Sequence, residues 1–383
     1  MTHSSRQGAL TDLKVVECAQ LIAGPFCGQL LADHGAQVIK VEQPGAGDPM
    51  RNWGRKGYPL SWEILARNKD SVFLNLREPE GQEALKDLVR DADILIENFR
   101  PGTMETWGLG YETLSAINPG LIMVRVSGFG QTGPYAKRAG YASVGEAMGG
   151  LRALIGDPDR KPARAGISLG DSLAGMFGCM GALAALHHRD RTGEGQVVDA
   201  SIYESVLALM EATIPEHAIE GFVRQRTGSY LPGIAPSNIY DCADGQVVIG
   251  ANQDTVFARL AEAMGASELA RDPRYTDHVA RGVNQHELDA RITEWTSRHT
   301  AAEVQRILDA HGVPCSKLYR AEDMLADPHY AARDAVVTVD SDRYGQVPMQ
   351  GVFPKLSRTP GAVRHAGRGM VAKGDSSIAD RKE

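Results

Sequence analysis

In the first 130 residues, short apolar runs alternate with stretches of helical spacing. LKVVEC (13–18) reads as a strand, and after a Gly/Pro break QLLADHGAQVIKVE (29–42) passes from helix into a second strand, the grammar of a βαβ unit. SVFLNL (71–76) is the next strand and precedes a helix opening at Pro79-Glu80; ADILIENF (92–99) and LIMVRVSG (121–128) supply two more. Repeated βα units predict a mostly parallel sheet covered by helices.

SLAGMFGCMGALAALHH (172–188) has helical spacing, and Gly175, Gly178 and Gly181 would let another backbone approach one of its faces. GQVVDASIYESVLALMEA (195–212) reads as a strand running into a helix. The turn-rich RQRTGSYLPGIAPSN (224–238) marks a linker and a domain boundary. Beyond it, IYDCADGQVVIGA predicts a hairpin turning at Asp244-Gly245, and TVFARLAEAMG and AAEVQRILDAHG are amphipathic helices, together a small α+β domain. From Gly367 the chain is polar and is expected to fray. The fold class is therefore α/β, with a parallel-sheet large domain over 1–223, a linker and small α+β domain over 224–330, and 331–383 at the C-terminus.

Composition narrows the function. Of 383 residues 43% are hydrophobic and 23% charged, and the net charge is −7, opposite in sign to a nucleic-acid module. Five scattered cysteines form no CxxC pair, so a reducing cytoplasm and no structural metal are expected. The N-terminus lacks an apolar signal core, and the longest apolar stretch, Leu173 to Leu186, falls short of the roughly 20 residues that span a bilayer.

Several motifs invite sharper readings. Gly128 to Gly133 spells GxGxxG after a strand, but Pro134-Tyr135-Ala136-Lys137-Arg138 follows instead of a helix, which disfavours a nicotinamide site. Gly166 to Gly170 spells GxSxG, yet the basic, proline-broken RKPARA before it cannot be the strand a nucleophile elbow needs. Asp171 has two readings: an N-cap for the following helix, or a nucleophile held ionised by the helix start with glycines leaving room for substrate. Arg51, Arg55, Lys56, Arg67 and Lys69 form a basic run that is either solvated surface or a binding patch for an anionic cofactor. His187 and His188 read as structural, complementing the C-terminal dipole of their helix.

AGPFCGQLLADHGAQVIKVEQPGAGDPMR (23–51), IENFRPGTMETWGLGYETL (96–114), GISLGDSLAG (166–175) and TGEGQVVDASIYES (192–205), followed by APSNIYDCADG and HGVPCSKLYRAEDMLADPHY, resemble the family III coenzyme A transferases, the CaiB/BaiF group that includes formyl-CoA:oxalate and carnitine CoA transferases. The resemblance implies a Rossmann-like large domain completed by the returning C-terminus, a small domain between, and an interlocked homodimer. It makes Asp171 the nucleophile that takes up the acyl group and then CoA. It also implies CoA contacts at Ala23, Leu74, Arg77, Asn98, Phe99, Arg100, Arg138 and Tyr141. Coenzyme A is then a substrate, with no metal, nicotinamide, nucleic acid or membrane partner, and the acids exchanged are small mono- or dicarboxylates with a succinyl-CoA-like donor. Arg224 and Arg226 are candidates for holding a second carboxylate.

Three positions depart from the pattern. A glutamine before AGP in the formyl-CoA members is Ile22, an acidic residue after the GY tyrosine is Ala142, and a basic residue after ENFRPG is Thr106. The alternative in the same superfamily, an α-methylacyl-CoA racemase, needs a histidine base near the GY position. No histidine lies between His34 and His187.

Overall fold

The computed structural model describes residues 8–370. The tail beyond 370, where fraying was expected, lies outside the described residues. Gly367 and Arg368, also in the expected frayed stretch, are instead tied down: the Gly367 amide donates to the Glu63 carbonyl, and the Arg368 carbonyl accepts from Arg51 and Trp62.

The chain forms two compact units, one comprising the chain up to Leu151, Ala165–Glu220 and the chain from Pro328, the other Arg152–Arg164 and Gly221–Asp327. In the first, the order is β1 (Lys14–Glu17), α1 (Ala23–Asp33), β2 (Gln37–Glu42), α2 (Leu60–Leu65), β3 (Lys69–Phe73), α3 (Pro79–Val89), β4 (Ile94–Glu97), α4 (Thr103–Thr106), α5 (Tyr111–Ile117) and β5 (Ile122–Ser127). It continues through α6 (Ala142–Met148), then, after α7 (Leu151–Leu154), which passes into the other unit at Arg152, through α8 (Leu169–Thr192), β6 (Val197–Ser201), α9 (Ile202–Leu207) and α10 (Thr213–Glu220). The six strands are all parallel, in the order β3-β2-β1-β4-β5-β6. The alternating sides of the strands feed two cores. Val15, Val38, Ile94, Ile96 and Val124 meet α1 and α8 on one face, while Val16, Val41, Leu95 and Met123 meet α3 and α5 on the other. Both faces being buried explains why these strands read as continuous apolar runs.

β3 begins two residues before the predicted strand and ends at Phe73. Lys69 and Asp70 pair with Val38 and Ile39, because the Lys69 ammonium is anchored internally on Glu17 Oε2 at 2.6 Å. The helix α8 is also longer than its apolar core suggested. At 24 residues it is long and apolar enough to cross a membrane by length and composition, yet 44% of its most apolar window is buried within the fold. Arg189 and Arg191 occupy its last turn, beyond the two histidines.

In the second unit, β7 (Ser237–Asp241), β8 (Gln246–Gly250) and β9 (Cys315–Lys317) form an antiparallel sheet, with the predicted turn at Asp244-Gly245. Its helices include α11 (Asp254–Ala263), α12 (His278–Val283), α13 (Gln285–Thr296) and α14 (Ala301–Ala310), the last opened by a Thr300–Glu303 capping box. Tyr240, Val247, Ile249, Phe257, Leu260, Leu288 and Leu308 make its core. The sequence pattern leaves 152–164 in the first domain, but this stretch packs in the second unit. Arg226 donates to the carbonyls of Asp157, Pro158 and Arg160, each at 3.2 Å. The C-terminal hairpin, β10 (Val336–Ser341) with β11 (Gly345–Gln350), belongs to the first unit, where Arg67 reaches the Gln350 carbonyl.

Candidate active site at the start of the glycine-faced helix

Asp171 is the third residue of α8, in its first turn; the N-cap position itself belongs to Ser168. Asp171 is therefore not the cap, although it still sits where the helix dipole favours a carboxylate. No helix follows the Gly128 loop until α6 at Ala142, and no strand precedes the GxSxG segment, so neither motif has the context it would need.

Close packing fixes this helix start. A Cβ on Gly170 would lie 3.0 Å from Ile202 of α9 and 3.1 Å from Glu146 of α6, and the Gly170 amide donates to Glu146 Oε1 at 3.2 Å. Glu146 is 1% exposed. It is a residue sequence reasoning missed, since an acid at a buried helical position carries no local signature. It also engages one of the orphan amides that the helix start would otherwise present. The same α6 places Tyr141 at its N-cap, two-thirds exposed, next to Ala142, whose carbonyl would be 3.3 Å from a Gly170 Cβ.

The glycines of α8 bring it against the sheet and α1. A Cβ on Gly175 would meet the Ala23 carbonyl at 2.6 Å, one on Gly178 Val124 at 3.2 Å and one on Gly181 Val198 at 2.5 Å. Ala23 opens α1, and the loop before it is held rigidly. Leu21 has φ +64°, a left-handed conformation that costs a branched apolar residue free energy, and its amide donates to Asp48 Oδ1 at 3.1 Å. Lys40 lies between Asp48 (2.8 Å), Glu17 (2.9 Å) and the Ala19 carbonyl (2.8 Å), all buried. Ile22 packs with Met50, Trp62 and Ala66, so an apolar residue suits its surroundings.

At the carboxyl ends of β1 to β4, where the strand order reverses, lies a groove lined by Cys18, Gln20, Glu42, Gln43, Leu74, Arg77, Phe99 and Trp107, among others. Parallel α/β sheets bind ligands at this switch point. Leu74, Arg77 and Phe99 among the expected contacts come together here. Asn98 stands behind them and spends its amide on the backbone of Gln20, accepting from N–H and donating to C=O at 2.8 Å each. Arg100 is exposed and does not line the groove, and Arg138 stacks on Tyr135 at 4.6 Å in the loop that leads to Tyr141. Thr106 is exposed and donates its hydroxyl to the Gly102 carbonyl at 2.8 Å, one turn back along the chain. Trp107 was not singled out in the sequence, because only its packing against Phe99 brings it to the groove. Burial foremost, with the Glu97 carboxylate, pushes the Cys18 thiol far above the usual thiol range, so it is an inert part of the wall.

The basic run is neither surface nor anion site as a whole. Arg67 is buried on Asp33 at 2.6 Å, Lys69 on Glu17, and Arg51 forks onto Glu42 at 2.7 and 2.8 Å while covering the Trp62 ring. Arg55 and Lys56 alone of the five are exposed. Arg226, a candidate for a substrate carboxylate, gives its guanidinium to the main-chain carbonyls described above.

The sequence pattern of CoA-transferase family III matches residues 10–367. The chain is 59% identical over 362 residues to the succinyl-CoA–D-citramalate CoA-transferase of Chloroflexus aurantiacus, covering 94% of this chain and 90% of that protein. It is 39% identical over 347 residues to the succinyl-CoA:mesaconate CoA-transferase of Haloarcula marismortui, covering 87% and 86%. A CAIB/BAIF family protein from Brucella suis superposes with a TM-score of 0.85 at 34% identity, covering 98% of this chain and 99% of that one. With a match of that span and relatives at these identities, the chain belongs to CoA-transferase family III.

Proposed function

We propose that the protein moves CoA from succinyl-CoA to a small dicarboxylic acid of the hydroxylated kind exemplified by citramalate, with Asp171 as nucleophile. The observation that carries this reading is the placement of Asp171 in the first turn of a glycine-faced helix, in a chain 59% identical to a transferase named for that pair. The Asp171 carboxylate attacks the thioester carbonyl, the C–S bond breaks, and CoA thiolate leaves a mixed anhydride. The thiolate then attacks the aspartyl carbon, freeing succinate and forming an aspartyl-CoA thioester. The acceptor carboxylate reverses these steps and regenerates Asp171. One thioester replaces another, so the exchange needs no ATP, metal or nicotinamide.

In this reading 1–223 with 331–383 binds CoA. Leu74, Arg77 and Phe99 contact CoA in the groove, Asn98 and Ala23 hold the loop beside it, Arg100 and Arg138 meet the phosphates, and Tyr141 flanks the acyl group. Met176, Met180 and Leu183 expose an apolar stripe along α8 that supports an interlocked homodimer. Five unpaired thiols support a cytoplasmic location.

Incubation with succinyl-CoA, trapping with hydroxylamine and peptide mapping tests the nucleophile. A hydroxamate at Asp171 is expected. Asp171→Asn is expected to abolish the adduct and slow transfer on the order of 10³-fold or more, with CoA binding kept. A hydroxamate elsewhere, or turnover surviving in the variant, would refute the assignment.

A further inference from the structure

Glu97 ends β4 and is 1% exposed. Its Oε2 accepts the Phe99 amide at 2.7 Å, and its Oε1 accepts Nε of Arg125, its register partner on β5, at 2.7 Å. The two terminal nitrogens of Arg125 continue outward to Glu105 of α4, at 2.7 and 3.2 Å. A helix of four residues has too few internal hydrogen bonds to hold its own place. The forked guanidinium supplies that hold, because its fixed planar geometry matches a carboxylate on each side. Immediately after α4 comes Trp107, whose ring meets Phe99 edge-on with centroids 5.1 Å apart. Phe99 and Trp107 both line the groove at the strand ends. The contacts thus close a circuit from the sheet through Arg125 and α4 to Trp107, across to Phe99, and back through Glu97. The hydrogen bonds from Arg125, foremost, hold the Glu105 carboxyl below its usual value, as an ionised partner should be.

We propose that Arg125 is a positioning residue that sets the aromatic wall of the groove and thereby the affinity for the CoA ester, leaving the chemical step to other groups. The proposal rests on the groove being the CoA site. Lysine at 125 keeps the charge but cannot bond Glu97 and both oxygens of Glu105 together. Arg125→Lys is therefore expected to raise the KM for succinyl-CoA and the Kd for free CoA by about tenfold, with the acid KM changed by less than about twofold. CoA-induced quenching of tryptophan emission is expected to shrink in parallel, and a Trp107→Phe protein assigns that signal. Unchanged CoA affinity in a folded Arg125→Lys protein would overturn the proposal, since a merely structural role would move only the melting temperature. Where that variant fails to fold, Glu105→Gln at the half-exposed end of the clamp decides, with a rise of about threefold expected and none overturning it. Trp107→Ala tests the groove separately: wild-type CoA affinity there would refute the groove as the CoA site, whatever Arg125 does.

Discussion

The Ala23 carbonyl and Gly175 set how closely α1 approaches α8, since a methyl group at 175 would stand 2.6 Å from that oxygen. The contact lies one turn beyond Asp171, so the fit between the two helices also fixes Asp171 relative to the loop that borders the groove.

Gly175→Ala gains at most about 1 kcal/mol of helix propensity, but the atom it meets is backbone and cannot turn aside. A net loss of about 1–3 kcal/mol is expected in urea unfolding, with reduced transfer. Gly166→Ala, where an added Cβ meets nothing within 4 Å, is the control and is expected to stay within about 0.5 kcal/mol of wild type. Equal stability of the two variants would show that α1 and α8 do not depend on this contact.

The Arg51–Glu42 pair makes a prediction about acid. Burial works to raise Glu42, but the Arg51 fork outweighs it and holds the carboxyl below its usual value. A depressed carboxyl contributes stability that is present above the unfolded value of about 4.3 and is lost as pH falls through the lower folded value. Arg51→Met leaves a buried carboxylate without its cation, expected to cost about 3–5 kcal/mol at pH 7. The gap to wild type should narrow as pH falls from the variant's folded Glu42 value to the lower wild-type one, because the variant's Glu42 takes up a proton at higher pH. Urea midpoints measured from pH 7 to pH 3 decide this, and a gap constant over that range would contradict it.

Arg226 offers a test of carboxylate recognition. Because its guanidinium is bound to three carbonyls of the 157–160 turn, Arg226→Ala is expected to cost about 1–2 kcal/mol and to leave the acceptor KM within about twofold. A tenfold rise in acceptor KM without loss of stability would return Arg226 to the substrate.

The strands of the parallel sheet are legible along the chain, since residues such as Val15, Val16, Ile94 and Leu95 must be apolar on both sides when such a sheet is covered on both faces. So are the family and the candidate nucleophile, because the GDS segment and its companion blocks are local patterns readable in order. The small domain's hairpin and capped helices were legible for the same reason. What the charges do emerges only from long-range packing. Arg51, Arg67 and Lys69 look like surface cations along the chain, yet each meets a buried acid, and for Arg67 and Lys69 that acid lies 34 and 52 residues away, where no local pattern reports it. The same holds for Glu146 under the start of α8, Trp107 against Phe99, and Arg125 between two glutamates. Strand runs and motifs arise from neighbours along the chain, whereas the walls of this groove arise from neighbours that exist only once the sheet has formed.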